Sequence, residues 1–305
     1  MNLISIEDVG DKIEHLLKKS GDLKREAGEG IFKEHLKNRS LAMIFGKAST
    51  RTRVSFEVAM AQLGGHAIYL DWTATQLGRG ETVKDTAMTL SRYVDGIMIR
   101  ASKHEDVVEL ARHSEVPVIN GLTKLEHPCQ ALADLFTIKE AKGGFKGVKL
   151  AYIGDGNNVC NSLLLGSALV GLDISVACPK GYEPDAKIVS KAVEYSRKSG
   201  SRVEILNDAS NAVLDADVIY TDVWVSMGHE VEEKKRIGDF KNYQVNRALV
   251  EKAGAPLIMH CLPARRGLEI TDEVIDSRNS VVFDQAENRL HAQKALLCYL
   301  LGSSK

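Results

Sequence analysis

The residues from Phe45 to Glu57 read Phe45-Gly46-Lys47-Ala48-Ser49-Thr50-Arg51-Thr52-Arg53-Val54-Ser55-Phe56-Glu57, with an apolar run, Leu41 to Ile44, just before them. The spacing predicts a strand that turns at once into a helix. Backbone N–H groups at such a helix start point outward, and the helix dipole favours an anion in front of them. Ser49, Thr50 and Thr52 add hydrogen-bonding hydroxyls, and Arg51 adds a planar fork of donors. Together they could cradle a phosphate. The competing explanation is ordinary N-capping by Ser or Thr beside two solvated arginines.

Five further clusters fall where a strand meets the next loop or helix, the edge at which doubly wound sheets hold their ligands. Gln76-Leu77-Gly78-Arg79-Gly80-Glu81 precedes one helix, and Arg100 ends the strand Gly96-Ile97-Met98-Ile99. His127-Pro128-Cys129-Gln130 opens another helix. Asp222-Val223-Trp224-Val225-Ser226-Met227-Gly228 follows the strand Val218-Ile219-Tyr220, and His260-Cys261-Leu262-Pro263 ends the strand Pro256-Leu257-Ile258-Met259. Each has a plainer explanation: a surface charge at Arg100, a helix cap at His127, a turn bond at Asp222, a small buried hydrophobe at Cys261. Their recurrence along one type of sheet edge argues for a shared role.

These clusters need elements to carry them. Strands are expected at 41–45, 66–70, 96–100 and 116–119, and again at 148–153, 173–178, 202–206, 217–221, 256–260 and 280–283. Helical stretches lie between them, near 52–63, 81–92 and 104–113 in the first half. Strand–helix alternation implies parallel sheets flanked by helices. Lys142-Gly143-Gly144-Phe145-Lys146-Gly147 ends a helix begun near Pro128 and starts a new strand, which makes it the natural seam. The expectation is therefore an α/β protein of two doubly wound domains, residues 1–142 and 143–286, with the active site in the cleft between them. A C-terminal helix, 287–305, would rejoin the first domain.

At 305 residues the chain exceeds one comfortable core. A net charge of −1 argues against nucleic-acid or membrane surfaces, which usually demand a basic excess. Five cysteines without framework spacing suit a reducing compartment. The segment Met1 to Asp8 has no basic n-region and too short an apolar run for a secretory signal, so a cytoplasmic location is expected.

Taken together, the runs Ser49-Thr50-Arg51-Thr52-Arg53, His127-Pro128-Cys129-Gln130, Asp222 to Gly228 and His260-Cys261-Leu262-Pro263 resemble the ornithine carbamoyltransferases, within the aspartate/ornithine carbamoyltransferase superfamily. The likeness is collinear from residue 41 to Gln293. It implies transfer of the carbamoyl group of carbamoyl phosphate to the δ-amine of L-ornithine, giving L-citrulline and phosphate, as in arginine biosynthesis; the same residues would serve catabolic use. It also implies no metal and no cofactor. For carbamoyl phosphate it points to Ser49, Thr50, Arg51, Thr52, Gln76, Arg100, His127, Pro128, Cys129, Gln130, Cys261, Leu262 and Arg289. For ornithine it points to Asn158, Asp222, Ser226 and Met227. Gln76 matches a position that reaches into a neighbouring subunit, which implies a homotrimer or a multiple of it.

The amine of ornithine must react unprotonated, at a cost of roughly 4–5 kcal/mol near neutral pH for a group of pKa ~10.4. The resemblance places Asp222 and Cys261 beside it, with Cys261 as base and Asp222, Arg51 and His127 as the other catalytic groups. A carboxylate favours the charged amine, and a thiol needs nearby cations to ionise, so the departing phosphate stays open as final acceptor. The Leu262–Pro263 bond is expected to be cis. Three alternatives compete: another amine acceptor (putrescine or aspartate), a dinucleotide-dependent oxidoreductase built on Gly154-Asp155-Gly156, or an inactive binding scaffold. Val159 in place of a third glycine, and no ribose-binding acid, count against the oxidoreductase.

Overall fold

The computed structural model describes residues 1–225 and 232–302. Two compact units divide the chain, one of residues 1–136 with 287–305 and one of residues 137–286. Each is built on a fully parallel sheet flanked by helices, as expected of the two-domain α/β class.

In the first unit α1 (Ile13–Gly28) precedes the alternation β1 (Ser40–Phe45), α2 (Thr50–Gln62), β2 (His66–Asp71), α3 (Val83–Leu90), β3 (Gly96–Arg100), α4 (His104–His113), β4 (Val118–Leu122) and the start of α5 (Pro128–Lys142). The strand order is β2-β1-β3-β4. Residues 41–45 and 96–100 are buried at every position, which is why they read as continuous apolar runs: helices cover both faces of a parallel sheet. The register pairs Phe45 with Arg100 and Arg100 with Leu122. Everything just past these residues therefore emerges at one edge.

In the second unit β5 (Lys149–Ile153), α6 (Asn158–Val170), β6 (Asp173–Ala177), α7 (Ala186–Ser199), β7 (Val203–Leu206), α8 (Ala209–Ala212), β8 (Val218–Thr221), α9 (Glu233–Phe240), α10 (Arg247–Lys252), β9 (Leu257–His260) and α11 (Asp272–Ile275) form a sheet of order β7-β6-β5-β8-β9. Ile153 pairs with Thr221, and Thr221 with His260. Gly154, Asp222 and Cys261 thus leave the sheet side by side. Its core includes Ile153, Ile219, Ile258, Trp224, Phe240 and Tyr243. The chain passes between the units within α5 and again within α12 (Val282–Leu301).

Two expected strands differ by more than one residue at an end. The one expected at 116–119 is Val118–Leu122, because Pro117 cannot donate to a ladder and Leu3 pairs in parallel with Ile119 on the outer side. The one expected at 280–283 does not form. Ser280 makes a single bridge to Ile258, and α12 begins two residues later; the apolar Val281-Val282-Phe283 reads as strand only while the helix behind it is ignored. Among the described residues no helix is long and apolar enough to cross a membrane.

Candidate active site

In the first unit, Ser49 is the N-cap of α2, its Oγ accepting from the Thr52 N–H at 3.3 Å. Capping and cradle are thus compatible: Ser49 closes the helix while the other N–H groups of its first turn face outward. That turn reads Thr50-Arg51-Thr52-Arg53, two cations and no acid. The structure separates the two arginines. Arg53 donates to Glu57 at 2.9 Å and lies over the Tyr69 ring, 3.9 Å from its centroid. The Arg51 side chain is half-buried and makes no hydrogen bond to another described residue. Thr50 is exposed, whereas Thr52 is buried.

The Thr52 hydroxyl is a junction. Arg289 Nη2 donates to it at 2.9 Å and Arg100 Nη1 approaches it at 3.5 Å. Arg289 Nη1 also donates to Gln130 Oε1, and Gln130 Nε2 donates to Asp134 at 2.8 Å. Arg100 and Arg289 are 6% and 3% exposed, and two guanidiniums this deep beside one hydroxyl suit the holding of an anion or a carbonyl oxygen. His127, also buried, sits close enough to feel both. Burial, then the charges of Arg289 and Arg100, push its pKa well below 6.5, so the ring is neutral and offers a hydrogen bond without a charge.

Pro128 opens α5 at the first helical position, where a missing N–H is harmless. Cys129 turns inward, its thiol donating to the Asn120 carbonyl at 3.4 Å, and burial pushes its pKa up to about 12. Gln76 lies on the exposed turn Gln76–Arg79 and its side chain has no hydrogen bond to the Thr52 set.

In the second unit, Asp222 is buried and accepts three hydrogen bonds from described residues. They come from Asn157 Nδ2 at 2.7 Å, Val223 N–H at 2.8 Å and the Cys261 thiol at 3.0 Å. Behind Cys261 the loop is shaped by His260. The Leu262 N–H donates to His260 Nδ1 at 2.9 Å, which places the ring proton on Nε2, facing Glu269 Oε1 at 3.0 Å. Leu262–Pro263 is cis, as expected, and Leu262 has φ of 56°. Asp222, His260 and Cys261 hold ligand-type atoms within 4.8 Å of one another. Both His260 nitrogens and the Cys261 thiol are committed to bonds within the fold, so the trio is not a ready metal-ligand set. Asn158 starts α6. Ser226 and Met227 lie outside the described residues.

The Gly154–Asn157 turn is closed by the chain itself. A Cβ on Gly156 would come within 2.2 Å of the Pro184 nitrogen, and the Gly156 N–H donates to the Tyr182 carbonyl at 2.9 Å. The close approach that this glycine permits is taken by residues 182–184 instead of a pyrophosphate, which disfavours the dinucleotide alternative. Asp134 and Gln285 are polar partners that no sequence signal marks. Asn157 had a signal, as an N-cap residue directly before an apolar helical run.

Residues 1–140 match the carbamoyl-P binding domain of aspartate/ornithine carbamoyltransferase, and residues 146–300 match its Asp/Orn binding domain. The chain belongs to the aspartate/ornithine carbamoyltransferase family. It is 57% identical over 303 residues to an ornithine carbamoyltransferase of Methanothermobacter thermautotrophicus, covering 99% of each chain. Among solved structures it resembles an ornithine carbamoyltransferase from Pyrococcus furiosus, with TM-score 0.97, 54% identity, and coverage of 100% of this chain and 98% of that one. It also resembles an anabolic ornithine carbamoyltransferase from Campylobacter jejuni, with TM-score 0.93, 42% identity and 98% coverage of both.

Proposed function

We propose that this chain transfers the carbamoyl group of carbamoyl phosphate to the δ-amine of L-ornithine, releasing L-citrulline and phosphate, in the direction of arginine biosynthesis. The observation that carries this reading is the Thr52 hydroxyl shared by two buried guanidiniums at the N-terminal turn of α2. Carbamoyl phosphate presents a phosphate dianion next to a carbonyl, and dense preorganised positive donors beside a neutral hydrogen-bonding ring suit both. In this reading the α2 turn and Arg51 hold the phosphate. Arg100, Arg289 and His127 polarise the carbonyl, and Gln130 takes the carbamoyl amide.

The second unit takes ornithine, with Asp222 and Cys261 at the side-chain amine and Asn158, Ser226 and Met227 on the amino-acid end. In the free protein the Cys261 thiol donates to Asp222, so Cys261 can act as base only after that proton leaves. The phosphate oxygen released during transfer is a second acceptor. The exposed side chain of Gln76 supports a role outside its own subunit, and with it a homotrimer; a cytoplasmic enzyme is the matching setting. The test is a citrulline-type assay with carbamoyl phosphate and, side by side, ornithine, acetylornithine, putrescine and aspartate. Ornithine should be the acceptor by at least about 100-fold in kcat/KM, and a preference for any other amine overturns the assignment.

A further inference from the structure

Asn157 does more than close a helix. Its Oδ1 accepts from the Val159 and Cys160 N–H groups at 2.9 and 3.1 Å, the two bonds of an N-cap, and from the Tyr152 hydroxyl at 3.2 Å. Three donors on one atom fix which end of the amide is oxygen. Its nitrogen must therefore face the other way, where it donates to Asp222 Oδ2 at 2.7 Å. Capping needs only the oxygen, and Ser, Thr or Asp would supply it. The amide nitrogen is surplus to capping, and it is spent on the carboxylate.

We infer that Asn157 is a positioning residue that sets the orientation of the Asp222 carboxylate for the side-chain amine of the acceptor substrate. This rests on the proposed function. The supporting structure is continuous through one unit. Tyr152, fully buried, stacks on Tyr220 with ring centroids 5.7 Å apart. The Tyr220 hydroxyl accepts from Gln285 Nε2 at 3.1 Å, and Gln285 Oε1 accepts from the His260 N–H at 2.9 Å. Burial, then the charge of Asp222, push the Tyr152 phenol well above 10, so it stays a donor to Asn157. The carboxylate is consequently held from three elements: the α6 turn by Asn157, its own loop by Val223, and the end of β9 by Cys261. A group gripped in this way gives a cationic amine one defined partner, while the α-amino acid end of the substrate is unaffected by it.

The test separates those two ends. N157S keeps a capping oxygen and loses the donor to Asp222; N157D keeps the shape and the cap and also loses the donor. The readouts are KM for ornithine and for carbamoyl phosphate, the inhibition constant of L-norvaline (ornithine without its side-chain amine), and Tm. Both variants should raise the ornithine KM about 10-fold or more, with the norvaline constant and the carbamoyl phosphate KM within about threefold of wild type. An unchanged ornithine KM overturns the inference. So does a parallel weakening of ornithine and norvaline, which would mean that Asn157 serves only the fold. A wild-type protein that makes no citrulline would instead remove the functional reading beneath it.

Discussion

At the carboxyl edge of the first sheet the buried polar side chains are Arg100, Arg289 and a neutral His127, with the Thr52 hydroxyl between the guanidiniums. At the same edge of the second sheet stand the buried Asp222 and the half-buried Cys261 and Asn157. The topology is alike, parallel strands feeding helices, yet the sign of the charge is reversed. The means of assembly differ as well. The second set comes from the ends of β5, β8 and β9, which the register brings level. The first draws Arg289 from α12, well over a hundred residues from α5, and binds it to both Thr52 and Gln130. A parallel sheet thus supplies the place, and the choice of side chain at each strand end decides whether an anion or a cation is received there.

The sharpest way to break this contrast is Arg51→Ala. The side chain is half-buried and tied to no other described residue, so its removal should leave Tm within about 2 °C of wild type. It should nevertheless lower kcat/KM for carbamoyl phosphate by about 10³-fold or more, the scale on which single preorganised donors act. More than a tenth of wild-type activity would remove Arg51 from the phosphate cradle. Asp222→Asn addresses the opposite edge. It should raise the ornithine KM by about 50-fold and leave the carbamoyl phosphate KM within about threefold, a split readable from initial rates. Equal damage to both substrates would mean that the two edges are not chemically separate.

His127 gives a pH prediction. Its pKa in the folded protein lies well below 6.5 because of burial and the neighbouring Arg289 and Arg100 charges. Below pH 6.5 the unfolded chain gains a proton on this ring that the folded chain does not, so stability falls as pH falls, by at most about 1.4 kcal/mol per pH unit. His127→Asn removes that contribution. The drop in Tm between pH 7 and pH 5.5 should shrink in the variant, with a residual slope from His104 and His291, which burial depresses in the same direction. An unchanged slope would mean that His127 is protonated in the folded state.

How far this could be read beforehand depends on what kind of signal each part leaves. The strands β1, β3 and β5 were legible because burial on both faces writes an unbroken apolar run. The α2 turn was legible because hydroxyls and arginines alternate where a strand stops. Residues 280–283 misled because three apolar residues look alike at the end of a strand and at the start of a helix, and only the pairing with Ile258 decides. The separation of Arg51 from Arg53 was only half legible: Glu57 stands four residues after Arg53 on the same helix, but nothing in the sequence shows Tyr69 of β2 lying under Arg53. Nor did Asn157 announce its second bond, since the donor to Asp222 spans 65 residues.

Each edge also carries a His–Cys pair, His127 with Cys129 and His260 with Cys261, and by residue type the two thiols are equivalent. The structure makes them different. Cys129 is 1% exposed, faces the Asn120 carbonyl, and has a pKa pushed up to about 12 by burial that the nearby Arg289 only partly offsets. It stays a thiol near neutral pH, and it serves as a small apolar filler. Cys261 is less buried and faces Asp222. Cys129→Ala should therefore keep kcat within about threefold. Losing one buried sulfur should cost about 1 kcal/mol, seen as a Tm lower by roughly 2–4 °C. Under native conditions iodoacetamide should label Cys261 and spare Cys129, as peptide mass analysis would show. A Cys129→Ala variant that folds normally and loses turnover would place chemistry at the wrong thiol and collapse the distinction between the two edges.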